Sequence, residues 1–210
     1  MENASTPPYI NDAAAKITLA HDGKPIPRLF IGLNWGAIQK KTRTHEDVTF
    51  EVDLDSCLTT FDANGNVLET IYFNHLRSDN KAIEHFGDDV IGDTEGDDGL
   101  DNEVIKIDFE KLSPEVSFIY IYLISANSQD LGDLPYTTIR LFEGQKDSVS
   151  SVLTKFQIAP SDSFRGNVAV LMGRFLKGKD YWEFEPLGKP MFAIEVQEAI
   201  DFIQKNYFNR

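Results

Sequence analysis

The sequence predicts an all-β fold, a sandwich of two antiparallel sheets with a C-terminal helix packed on it, and three observations carry that expectation. Fifteen Phe and seven Tyr stand against three Met, a balance that favours strands over helical bundles. β-Rich runs recur along the chain with turn residues between them, at the spacing of a sandwich. Helical periodicity is confined to the end, where Phe192, Val196, Ala199, Ile200, Ile203 and Tyr207 follow Pro190.

Taken in order, Pro7, Pro8, Pro25 and Pro27 around Asp22-Gly23-Lys24 give an extended N-terminal arm over 1–27, with one short strand near Ile17 to Ala20. Regular structure begins at Leu29. In Phe50 to Asp55 a period of two puts Phe50, Val52 and Leu54 on a core face and Glu51, Asp53 and Asp55 on the other. Asn64-Gly65 is a pair that tolerates the positive φ angles of a tight hairpin, and Val67 to Phe73 is the strand it feeds. Further strands are expected at Val104 to Phe109, Val116 to Ser125, Tyr136 to Phe142, Leu153 to Ile158, Val168 to Phe175 and Tyr181 to Glu185, with Gly178 turning the last pair. The helix falls in 190–208. With no internal repeat and no low-complexity linker, the 210 residues read as one domain.

Thirty-four acidic and twenty basic residues give a formal charge of −14, which repels nucleic acid and anionic lipid and favours a cationic partner, either a metal ion or a basic protein. A lone cysteine, Cys57, excludes an intramolecular disulfide and a thiolate cluster; on a β-rich run it reads as a small core residue. The start lacks a basic segment followed by an apolar one, and the longest apolar run, Phe118 to Ile124, is too short to span a bilayer. The expectation is a cytoplasmic protein with no direct membrane insertion.

Glu84 to Glu103 is the most informative stretch, with nine acids and no Lys or Arg. Gly87, Gly92, Gly96 and Gly99 are interleaved, so the backbone can curl and turn carboxylates and carbonyls inward. A flexible loop rich in oxygen donors suits calcium, which accepts six to eight oxygen ligands in tolerant geometry, better than magnesium. The four histidines show no paired metal-ligand spacing, which disfavours zinc. No EF-hand spacing is present either. The competing reading is a solvated acidic loop.

Signatures of enzymes are missing: no Gly-x-Gly-x-x-Gly after a strand, no phosphate-cradling Gly-Lys-Ser/Thr and no Gly-x-Ser-x-Gly elbow. A carboxylate-dependent hydrolase or small-ligand enzyme remains as the alternative, and it requires two acids in a cleft with one pKa raised. Trp35 and Trp182 sit in strand-like segments where packing accounts for them.

The succession of Leu33-Asn34-Trp35, Phe50 to Asp55, Ile71-Tyr72-Phe73-Asn74 and then the acidic loop resembles the TerD family of tellurium-resistance and general stress proteins. His85-Phe86-Gly87-Asp88-Asp89, followed by Asp101-Asn102-Glu103-Val104-Ile105-Lys106-Ile107-Asp108, is similar to that family's "GDN…GDDE.I.VD" signature leading into a strand, and Leu112-Ser113-Pro114-Glu115-Val116 fits downstream. The likeness runs over residues 29–188 and is closest over 50–125. It implies a β-sandwich that is not an enzyme and that holds calcium ions at one end, with other stress-response proteins as partners. Carried onto this chain, the implied ligands are Asp53, Asp55, Asp88, Asp89, Asp101, Asn102 and Glu103. The loop is longer than the family's, so Asp97 and Asp98 compete with Asp101 and Asn102 for the second acidic pair.

Overall fold

A computed structural model describes residues 15–41, 43, 46–159 and 162–208 of the chain. Pro7 and Pro8 of the expected arm lie outside the described residues. In chain order the elements are β1 Ile17–Thr18, β2 Ala20–His21, β3 Lys24–Pro25, β4 Arg28–Trp35, β5 Ile38–Lys41, β6 Asp47–Phe50, β7 Leu54–Phe61, β8 Val67–Ile71, β9 Ile83–His85, β10 Glu103–Asp108, β11 Phe118–Ser125, β12 Thr137–Gln145, β13 Ser148–Ala159, β14 Ala169–Lys177, β15 Trp182–Met191 and α1 Val196–Tyr207. They form a six-stranded sheet, β1-β15-β14-β11-β7-β8, and a five-stranded sheet, β13-β12-β4-β10-β9, with two separate hairpins. The all-β sandwich with a C-terminal helix is therefore observed.

The six-stranded sheet is apolar on both faces. Leu58, Ile119, Ile121, Leu123, Met172 and Phe184 meet Leu29, Ile31, Leu33, Ile105, Ile139 and Leu141 of the opposite sheet. On its far side Cys57, Phe61, Tyr120, Tyr122 and Leu171 pack under Ala199, Ile200 and Ile203 of α1. Successive residues of a strand point to opposite faces, so a strand covered on both sides reads as an unbroken apolar run. That is why Phe118 to Ile124 shows no alternation. Cys57 is fully buried there, and burial pushes its thiol pKa well up.

Five expectations are corrected in detail. Phe50 ends β6 and is 49% exposed, whereas Val52 and Leu54 are buried as expected, because β6 pairs with β5 in a separate hairpin and the strand is interrupted over residues 51–53 before β7 joins the six-stranded sheet. The 62–66 turn is not a tight two-residue hairpin. Asp62 Oδ1 accepts from the Asn64 and Asn66 N–H groups, both at 2.8 Å, and only Gly65 of this turn takes a positive φ, +83°. β15 continues through Pro186 and Pro190, tolerated because β1 pairs only with Glu183 and Phe184 and leaves the rest of that edge without need of donors. Phe192 is 75% exposed and precedes the helix, which starts at Val196. The arm is no loose extension over its described part: Asp22 and Gly23 turn β2 into β3 with φ of 49° and 74°, and Leu19 and Ile26 join the core.

Because α1 closes the second apolar face, Ile203→Ala is expected to lower unfolding free energy by about 2–5 kcal/mol, the range for a large-to-small change at a buried aliphatic site. Val48→Ala, on an exposed strand, is expected to stay within about 0.5 kcal/mol. Urea unfolding curves of both variants check the contrast.

Candidate metal centre

The acidic loop joins β9 to β10 at one end of the sandwich and is stitched down by backbone hydrogen bonds. Asp93 N–H donates to Trp35 O at 3.0 Å, Ala37 N–H to Asp93 O at 2.9 Å, and Val52 N–H to Ile91 O at 2.9 Å. Trp35 is fully buried beneath, and its indole N–H donates to Val52 O at 2.8 Å. Gly92 crosses the indole with φ of +67°, where an added Cβ would lie 2.7 Å from Trp35 Cδ1. Only glycine satisfies both the angle and the approach. At Gly32 a Cβ would sit 2.2 Å from Asp101 Oδ2, so the loop's return is seated in a notch on β4.

Two groups of carboxylates result. Asp53 and Asp55, two residues apart and so on one face, are joined by Asp88 from the loop, with one oxygen of each within 4.8 Å of the others. Asp93, Asp97 and Asp98 form a second group under the same limit. In the first, Asp53 Oδ1 is buried with no hydrogen-bond partner. Burial, then the charges of Asp88 and Asp89, raises the Asp53 pKa. Burial, followed by Asp53, Asp88 and Glu103, pushes Asp55 up to about 7. In the second, Tyr136 OH donates to Asp93 Oδ2 at 2.6 Å and Asn34 Nδ2 donates to Asp97 Oδ1 at 3.0 Å. Asn34 is 3% exposed, and its Oδ1 has no partner. A depression of about 420 Å³, lined in part by Asp89, Asp93, Asp98 and Asn102, opens beside this group.

The other expected ligands are placed differently. Asp89 Oδ1 accepts from Ile91 N–H at 2.9 Å and Gly92 N–H at 2.8 Å, which shapes the loop. Asp101 is held by Arg140, whose Nη2 and Nε donate to Oδ2 at 2.7 and 3.0 Å. Asn102 Oδ1 accepts from Trp35 N–H at 2.7 Å, and its Nδ2 reaches Asp89 Oδ2 at 3.4 Å and Asp93 Oδ1 at 3.3 Å. Glu103 accepts from Ser56 N–H at 3.0 Å and Asp89 N–H at 3.2 Å. Of the competing pairs, Asp97-Asp98 joins a carboxylate group and Asp101-Asn102 is taken up by protein donors. Asp93 is one of the loop's nine acids but not one of the expected ligands; in a loop without helical periodicity its spacing from Asp97 and Asp98 carries no signal, and it is the backbone anchoring to Trp35 and Ala37 that sets it beside them.

Buried or crowded carboxylates cost free energy unless protonated or neutralised by a cation. Both groups offer oxygen alone, with no thiolate or imidazole, which fits a hard divalent ion of calcium type. Asp53 Oδ1, an orphaned buried acceptor, is the sharpest sign of that fit.

Comparison with known proteins gives a consistent picture. The chain is 24% identical over 174 residues to tellurium resistance protein TerZ of Serratia marcescens, covering 82% of this chain and 84% of that protein. It is 24% identical over 180 residues to general stress protein 16U of Bacillus subtilis, covering 82% and 86%. Among solved structures, a homologue of telluride resistance protein (TerD) from Streptomyces coelicolor A3(2) superposes with a TM-score of 0.62 at 17% identity, covering 82% of this chain and 95% of that one, a likeness of fold. The TerD domain profile matches residues 12–198, and the chain therefore belongs to the TerD domain family.

Proposed function

We propose that this protein binds calcium at its acidic end and acts as a metal-dependent interaction module in a stress response of the tellurium-resistance type. The observation that carries the reading is the convergence of Asp53, Asp55 and Asp88, whose Asp53 Oδ1 is buried without a partner. Asp93, Asp97 and Asp98 supply a second candidate site. Bound calcium would supply positive charge where these carboxylates crowd, turning a repulsive surface into one that is ordered and less negative. The names of the relatives, a tellurium resistance protein and a general stress protein, support the physiological setting. Other stress-response proteins are the proposed partners, in the cytoplasm; no described helix is long and apolar enough to cross a membrane. The charge of −14 argues against nucleic acid.

A hydrolase reading is less well supported. Acid and base roles need two carboxyl groups whose environments drive their pKa values apart. Such a pair also needs a substrate cleft beside it, and the depression at the acidic end is lined by neither Asp53 nor Asp55.

Calcium at about a hundred times its dissociation constant is expected to stabilise the protein by about 2.7 kcal/mol, raising Tm by roughly 5–10 °C. The Asp53→Asn, Asp55→Asn double variant is expected to lose the part of that shift due to the first site. A wild-type melting curve that calcium leaves in place would sink the reading.

A pH dependence follows for the metal-free protein. The folded-state pKa of Asp55 is about 7 against an ordinary 3.8, so the folded form holds this proton more tightly than the unfolded chain does. Its stabilising contribution is complete below the ordinary value and is lost as pH rises towards about 7. In chelator, the Tm difference between wild type and Asp55→Asn is expected to change steadily between pH 4 and pH 7, moving against wild type as pH rises. A constant difference across that window contradicts the assignment.

A further inference from the structure

We propose that Glu103 is a positioning residue: a buried carboxylate that holds two of the three acids of the first site in place from behind, and is not itself a calcium ligand. The inference rests on the calcium reading above and concerns how that site is built. Glu103 opens β10 in the five-stranded sheet, yet its carboxylate reaches across the sandwich to the other sheet. Its Oε2 accepts from Ser56 N–H at 3.0 Å, and its Oε1 accepts from Asp89 N–H at 3.2 Å. Ser56 follows Asp55 and Asp89 follows Asp88. One side chain therefore fixes the peptide groups that carry two converging carboxylates, one on a strand and one on the loop.

Three features separate this role from ligation. The Glu103 side chain is 0% exposed and stands outside both carboxylate groups. Each of its oxygens already faces an N–H donor, in contrast to Asp53 Oδ1. The third feature is the buried His85 behind it. Gly87 N–H donates to His85 Nδ1 at 3.2 Å, which assigns the imidazole proton to Nε2. That nitrogen lies 2.8 Å from Ser56 Oγ and 3.4 Å from Glu103 Oε2. The imidazole N–H thus donates to Ser56 Oγ and braces the strand that Glu103 grips, with the carboxylate packed beside it. β8 pairs with β7 only from Leu58 onward, so Ser56 N–H has no strand partner on that side and Glu103 takes the place of one. Outer-shell partners of this kind set metal affinity by fixing ligand geometry in advance.

The test uses the full chain as wild type, E103Q and D55N, with calcium calorimetry and with terbium as a luminescent substitute. E103Q keeps the shape of the side chain but turns one acceptor into a donor facing a donor. It is expected to weaken the first site by about 10- to 100-fold while leaving the number of ions bound and the affinity of the Asp93–Asp97–Asp98 site unchanged. Terbium lifetimes in H2O and D2O are expected to give the same inner-sphere water count as wild type. A lost calcium equivalent, as for D55N, or an added terbium-bound water makes Glu103 a ligand and overturns the proposal; an unchanged affinity overturns it as well. An equal loss at both sites marks general destabilisation and also counts against it. If E103Q does not fold, H85Q, which leaves both backbone bonds of Glu103 intact, is expected to lower first-site affinity about tenfold with stoichiometry preserved, and an unaltered affinity refutes the brace. Should wild type bind neither ion, the calcium reading fails by itself. Amide exchange in chelator then decides the clamp separately: Ser56 and Asp89 are expected to exchange faster in E103Q, and equal rates reject it.

Discussion

Mutual repulsion among carboxylates is the constraint that the acidic end has to meet. Two like charges about 5 Å apart cost about 3 kcal/mol at the effective dielectric of a protein surface, and each group holds three acids. A free loop would relieve that cost by spreading into solvent. Here the backbone prevents it: Trp35 O, Ala37 N–H and Val52 N–H tie Ile91 and Asp93 to the two sheets, and Asn102 holds the return of the loop to Trp35 N–H. These bonds are available because the last residue of β4, Trp35, is buried beside Val52, two residues before β7 begins, with its indole N–H donating to Val52 O. The core thus sets the separation of acids that never enter it.

Much of the fold is legible where one physical pattern dominates. β10, β11, β12 and β14 combine β-branched and aromatic runs with clear turn residues and lie close to their expected bounds, whereas β13 begins at Ser148, five residues ahead of the expected Leu153, in a serine-rich stretch with no apolar run. The apolar positions of the helix were legible for the same reason, since Ala199, Ile200 and Ile203 share one face. Other features stayed hidden because no periodicity marks them or because it points the wrong way. β5 carries Lys40 and Lys41 where an apolar stripe would mark it, and β6, whose Val48 and Phe50 alternate in step with Val52 and Leu54, is exposed at all four residues. The continuation of β15 was masked by its prolines, which normally argue against a strand and are harmless only on an unpaired edge. Phe50 fits the alternation, and the interruption between β6 and β7 is not announced by composition.

At the candidate site, residue type was legible and assignment was not. Density of acids and glycines located the loop, and Asp53, Asp55 and Asp88 do converge. Which carboxylates face one another, and which are consumed by Arg140 or by backbone N–H groups, depends on contacts across more than thirty residues of sequence. Asp101 and Asp98 are alike as letters. They differ because only the first lies against Gly32 and within reach of Arg140.

The seat of Cys57 bears on the family's association with tellurium. A thiol reduces or captures a soft oxyanion as its thiolate, at a surface the reagent can reach. This one is walled in between β7 and α1 and held in its protonated form. The chain's single thiol is thus withheld from thiolate chemistry, and any thiolate delivered to tellurium would have to come from another molecule.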